Sequence, residues 1–146
     1  MKKILILLFV SLMAAEAHAQ TFVRKGSSVY GEVLCSWDGR YLRKGKSPYG
    51  KVMVNYDGNV IRQGSSDYGE ILYNWDGRNL RQGRSVYGKV MYNWDNGYIR
   101  QGNSDYGTIL YNFDGTIVRK GSSNYGTIVY NIEGKLPVPL LIYLLQ

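Results

Sequence analysis

From Val23 to Leu136 the sequence is six consecutive copies of one 19-residue unit. A chain built this way buries its apolar residues by setting each copy against its neighbours. Arg recurs at 24, 43, 62, 81, 100 and 119, with Gly two residues later each time. Ser recurs at 28, 47, 66, 85, 104 and 123, and Tyr-Gly begins at 30, 49, 68, 87, 106 and 125. An acid closes the pattern at Asp38, Asp57, Asp76, Asp95, Asp114 and Glu133. All 18 glycines fall inside it, three per unit, so none is left over for a separate phosphate-cradling loop.

Each unit reads as two short strands and two turns. Ile71-Leu72-Tyr73-Asn74-Trp75 is typical of the first strand, with the β-branched and aromatic residues that a pleated surface prefers. Asp-Gly follows at 38–39, 57–58, 76–77 and 114–115, the pair that suits a type I′ hairpin turn. Asp95-Asn96-Gly97 keeps the length and moves the glycine by one, which asparagine tolerates. The second strand is Tyr41-Leu42-Arg43, and a longer turn then runs from Gly45 to Gly50. With a turn signal every few residues, helix has no foothold in the repeats. A two-residue Asp38-Gly39 loop sets Trp37 opposite Arg40 and Cys35 opposite Leu42. Val33, Cys35, Trp37 and Leu42 then share an apolar face, and Leu34, Ser36 and Arg43 the other. A three-residue loop exchanges these neighbours, because a one-residue slip flips a strand's faces. The first register is preferred because it gathers the apolar residues.

Two all-β architectures accommodate such a unit: a closed pseudo-symmetric rosette of five or six antiparallel hairpins, without exposed edges, or an open hairpin solenoid. A propeller is disfavoured, since at four strands per blade six units make too few blades. The run Arg62-Gln63-Gly64-Ser65-Ser66-Asp67-Tyr68-Gly69-Glu70-Ile71-Leu72-Tyr73-Asn74-Trp75-Asp76-Gly77 resembles the repeat of the bacterial β-flower proteins, most of all the five-fold type. The likeness extends from Val23 to about Glu133. It implies a shallow ring of hairpin petals around a central axis, and it implies no catalytic residues.

The ends of the chain read differently. Lys2 and Lys3, the apolar run from Ile4 to Ala15 and Ala17-His18-Ala19 have the layout of a secretory signal peptide, cleaved after Ala19. The run is too short for a bilayer span, which needs about 20 apolar residues. The expected organisation is therefore residues 1–19 as signal, 20–136 as the six-repeat hairpin domain and 137–146 as an apolar tail. Export places the protein in the periplasm, at the cell surface or outside the cell. Removing Lys2, Lys3 and Glu16 takes the net charge from +7 to +6, spread along the chain. Cys35, the only cysteine, occupies a position held elsewhere by Val54, Tyr73, Tyr92, Tyr111 and Tyr130, and reads as a buried structural thiol. The tail, Leu136 to Gln146, is too apolar for water and too short to cross a bilayer. It is expected to plug the ring, with a membrane- or partner-seeking tail as the alternative.

The only histidine, His18, leaves with the signal, which removes Ser-His-Asp, Cys-His and imidazole zinc chemistry. The recurrent acids belong to turns. No catalytic residue, metal or cofactor is predicted, and the chain is read as no enzyme. The candidate binding set is Arg24, Arg43, Arg62, Arg81, Arg100 and Arg119. Six guanidinium groups on one rim suit an anion, and they equally suit pairing with an Asp or carbonyl of the neighbouring petal to fasten the ring. The Trp and Tyr positions similarly suit sugar stacking or, by preference, petal-to-petal packing. The function expected is that of an exported non-catalytic structural or binding module, the alternative being a glycan- or peptidoglycan-binding repeat protein. The partners considered are an anionic glycan, a lipid head group or another envelope protein, with nucleic acid disfavoured by the dispersed charge.

Overall fold

Each copy of the repeat forms two strands because its β-branched and aromatic residues are bracketed by glycine turns, and the strands are correspondingly short. The computed structural model describes residues 20–146, so the signal-peptide reading of residues 1–19 lies outside the described residues. In chain order the strands are β1 (Thr21–Lys25), β2 (Val33–Trp37), β3 (Tyr41–Lys44), β4 (Val52–Tyr56), β5 (Val60–Gln63), β6 (Ile71–Trp75), β7 (Asn79–Gln82), β8 (Val90–Asp95), β9 (Tyr98–Gln101), β10 (Ile109–Phe113), β11 (Ile117–Lys120) and β12 (Ile128–Glu133). A helix, α1 (Val138–Leu145), follows them.

Every strand pairs with its sequence neighbours in antiparallel fashion, and β1 also pairs with β12, so the twelve strands close into a barrel. The open solenoid is thereby set aside. Five hairpins are formed by consecutive strands, and the sixth joins the two ends of the repeat region, with Val23 opposite Ile132. The petal count left open by the sequence is six.

The hairpin register differs from the expected one. Trp37 stands opposite Leu42, not Arg40, and Cys35 opposite Lys44, not Leu42. The cause is the aspartate itself. Asp38 Oδ1 accepts the N–H groups of Arg40 and Tyr41 at 2.9 and 2.7 Å, so Asp38 ends the strand and Gly39-Arg40 form the loop. Gly39 has φ +100° and Asp38 has no positive φ, which rules out a type I′ turn there. In the fourth copy Asn96 and Gly97 both have positive φ, +48° and +87°, as type I′ requires, and Asp95 pairs with Tyr98.

A second departure lies between petals. Val23 is opposite Cys35 but Arg24 is opposite Val33, a bulge that recurs at each petal boundary given by the strand pairings. The extra residue shifts Val33 onto the Arg24 side and turns Leu34 inward beside Cys35, reversing the faces expected for 33 and 34. Cys35, Trp37 and Leu42 remain together on the core face as expected, all of them buried.

The core is a stack of equivalent positions. Val23, Leu42, Ile61, Leu80, Ile99 and Val118, one from each second strand, are 0–1% exposed. Helix α1 begins where Pro137 supplies the carbonyl that accepts the N–H groups of Leu140 and Leu141, and Pro139 stands in a first turn that needs no donor. The helix carries no charge, which is tolerable only in a buried position. Leu140, Leu141 and Ile142 are 0–1% exposed and belong to the same core as the strand residues. Near its C-terminal end the Tyr130 hydroxyl donates to Leu144 O at 3.2 Å, and the Tyr73 hydroxyl to Gln146 Oε1 at 2.6 Å. Tyr130 on β12 and Tyr73 on β6 stand six strands apart in a ring of twelve, so the helix is held from opposite walls of the lumen.

Candidate functional site

The six repeated arginines lie on the outer face of the barrel, each partly shielded. Arg43 reaches Asp38 at 2.6 Å, Arg62 reaches Asp57 at 3.1 Å and Arg81 reaches Asp76 at 2.5 Å, with looser equivalents at Arg100–Asp95 and Arg119–Asp114. These pairs lie within a hairpin, five residues apart, and not between neighbouring petals. Arg24 completes the set by pairing with Glu133 at 2.9 Å, and this one joins the two ends of the ring. The guanidinium groups are thus brought into a ring, but each already faces a carboxylate.

The carboxylates of Asp38, Asp57, Asp76 and Asp114 are held in the charged form. Partial burial pushes the Asp76 carboxyl upward, but the hydrogen bonds it accepts from Asn79 N–H, the Arg81 guanidinium and Arg78 N–H carry it down to about 2. Asp38 and Asp57 are lowered by the same balance, and Asp114 chiefly by the Ile117 N–H.

Between the arginines runs a row of buried asparagines to which the sequence reading gave no separate role. Asn55 Nδ2 donates to Gly64 O at 2.8 Å and Ser66 O at 3.2 Å, and Asn74, Asn93, Asn112 and Asn131 do the same one copy further on each time. Asn55 is opposite Arg62, so these bonds fold the long turn back over the outer face. The 19-residue recurrence of Asn was the available signal. In the first copy Ser36 takes the place; its buried hydroxyl is too short for the clamp and makes no hydrogen bond among the described residues.

The long turn so clamped is internally rigid. Tyr68 N–H donates to Ser66 Oγ at 3.0 Å, Gly69 N–H to Ser66 O at 3.1 Å and Gln63 N–H to Glu70 O at 2.9 Å. Gly69 is obligatory, because a Cβ there would fall 2.4 Å from Gln63 O. All six repeated serines make the same bond to the tyrosine N–H. The side chain at the apex points away from the protein: Tyr30, Tyr49, Tyr68, Tyr87, Tyr106 and Tyr125 are 93–99% exposed. Petal-to-petal packing, preferred for these tyrosines from sequence, is therefore corrected. The tryptophans do pack inward, Trp37 against Tyr56 and Trp94 against Phe113. The aromatic set divides because the serine bond that all six turns share sets each tyrosine at an apex clear of the core.

Cys35 lies against the core, 1% exposed, and burial pushes its thiol up to about 12, so it is protonated at any ordinary pH. Among the described residues no group of three or more His, Cys, Asp or Glu is placed to hold a metal ion, and no helix is long and apolar enough to cross a membrane.

Twelve short antiparallel strands closed into a ring of six hairpins, with a tyrosine-tipped turn between each and the next, define a rosette of repeated β-hairpins. Residues 23–141 match the family model of the 6-fold beta flower protein, and the chain belongs to that family. The family likeness of the repeat therefore holds, with six-fold symmetry in place of the five-fold type it most resembled. No curated protein and no solved structure matches the chain. Membership makes the chain a small structural β-hairpin module.

Proposed function

We propose that this protein is an exported, non-catalytic binding module that attaches to a polymeric glycan of the cell envelope through its ring of exposed tyrosines. One observation carries the reading: six large aromatic side chains stand almost fully in solvent on turns each held by its own serine bond, five of them also clamped by a buried asparagine. Packing does not account for side chains that touch so little of their own protein. Tyrosine offers a large, stiff, amphipathic contact at small entropic cost, which suits the apolar face and hydroxyl edges of a sugar ring. Six copies around one ring suit a repeating ligand, because weak single contacts multiply once two or more engage together. The positive net charge favours anionic envelope polymers over neutral ones.

The test is co-sedimentation of the purified protein with insoluble peptidoglycan and with polysaccharide from its own envelope. Wild-type protein is expected in the pellet. Tyr49→Ala, Tyr68→Ala, Tyr87→Ala and Tyr106→Ala together are expected to release it with no change in melting temperature, since none of these side chains packs. Retention of that folded variant in the pellet contradicts the proposal.

A further inference from the structure

The ring is not equally filled. At the inner position that faces α1, copies three to six carry Tyr73, Tyr92, Tyr111 and Tyr130, whereas the first two carry Cys35 and Val54. Beside Cys35, in the arc of the ring that lacks these phenol rings, a cleft of about 540 Å³ lies against the helix, larger than the one of about 340 Å³ between the helix and Tyr92 and Tyr111. This lies within the range of small-molecule sites, roughly 300–1,000 Å³. Its walls are mainly apolar, among them Leu34, Cys35, Met53 and Leu144, and Lys44, Lys51 and Gln63 also line it.

The lysines are placed unevenly. At the inner rim position, opposite the Cys35 site and its equivalents, Lys120, Lys25 and Lys44 follow one another on β11, β1 and β3, while Gln63, Gln82 and Gln101 occupy β5, β7 and β9. Lys44 and Lys51 join no salt bridge among the described residues. Glu32 and Glu70, which stand at the Lys51 position in the flanking copies, do not line the cleft. Lysine stems lie comfortably along apolar walls while their ammonium groups reach water, so the cleft is greasy within and positive where it opens.

We infer that the cleft between α1 and the first two petals binds a single-chain amphiphile with an anionic head, its acyl chain along Leu34, Cys35, Met53 and Leu144 and its head against Lys44 and Lys51. The ligand class follows from that pairing of apolar wall and unpaired cation, and it is independent of the outward tyrosines. A free fatty acid and a monoacyl phospholipid share this chemistry.

The probe is cis-parinarate, a carboxylate whose fluorescence rises in apolar surroundings, titrated into the purified protein beside its methyl ester. Saturable binding of the acid is expected, with the ester about tenfold weaker. Cys35→Tyr with Val54→Tyr installs what the sister copies carry and is expected to abolish binding. Lys44→Gln with Lys51→Thr, again residues found in sister copies, is expected to bring the acid down to the level of the ester without touching the core. Displacement of the probe by oleate identifies a free fatty acid, and displacement only by oleoyl lysophosphatidate identifies the phospholipid. Equal binding of acid and ester by the wild type overturns the inference. So does wild-type affinity in a folded Cys35→Tyr/Val54→Tyr protein. If that variant does not fold, the lysine pair decides: unchanged affinity for the acid overturns the inference.

Discussion

The aspartate of an Asp-Gly turn does three things with one carboxylate. Asp76 caps the Arg78 and Asn79 N–H groups and receives the Arg81 guanidinium. An Asn would retain the two turn bonds through its carbonyl oxygen, but its amide nitrogen would stand where Oδ2 accepts from Arg81, so the charge and that bond are lost together. The folded carboxyl titrates near 2, below the roughly 3.9 of an unfolded aspartate. A lowered folded pKa contributes stability that is present above about pH 4 and lost as pH falls toward 2. Asp38, Asp57 and Asp114 are shifted the same way, so the melting temperature is expected to drop through that window. Asp76→Asn should melt lower than wild type at pH 7 and approach it at pH 2. Parallel melting curves across the window, followed by circular dichroism, would remove the carboxylate from this role. The pairs are solvent-exposed, so the per-site effect is small and the sum over copies is what shows.

At the scale of elements, strands and turns were legible because β-branched and aromatic runs alternate with glycine, while register was not. Asp-Gly names a hairpin, but it does not say whether Asp sits in the loop or at the strand end. That choice was made by the carboxylate of Asp38, whose bonds to Arg40 and Tyr41 N–H compete with the backbone pairing. The bulge at Val33-Leu34 leaves no compositional mark, since both residues suit either face. The tail was conspicuous by its apolarity, and the structure sets Leu140, Leu141 and Ile142 in the shared core. At about 1.5–3 kcal/mol for each fully buried aliphatic side chain, these three alone supply on the order of 5 kcal/mol, comparable with the whole stability of a small domain. Deleting residues 137–146 is therefore expected to unfold the ring or lower its melting temperature steeply. Unchanged melting would make α1 a passenger of the fold.

At the scale of the whole molecule, the repeat made the candidate surfaces partly legible. Arg24, Arg43, Arg62, Arg81, Arg100 and Arg119 stood out by period, yet the period could not show that each faces a carboxylate of its own hairpin or, for Arg24, of the far end of the chain. The tyrosines stood out equally, and only the Ser66 and Asn55 bonds, which depend on the bulged geometry between petals, reveal that Tyr68 and its equivalents point outward. The cleft was hidden for a different reason: it is a break in the repeat, two small residues where four copies carry tyrosine, and it has meaning only once α1 lies beside it.

Closure itself rests on β1 meeting β12, where Arg24 reaches Glu133, Gly26 N–H donates to Val129 O at 2.9 Å, and the register runs from Phe22 opposite Glu133 to Lys25 opposite Tyr130. Hydrogen exchange followed by mass spectrometry tests this most directly. In a closed ring the amides of β1 and β12 are as protected as those of β6 and β7 on the far side. Rapid exchange confined to β1 and β12 would mean that these are free edges and that the five consecutive hairpins form an open array.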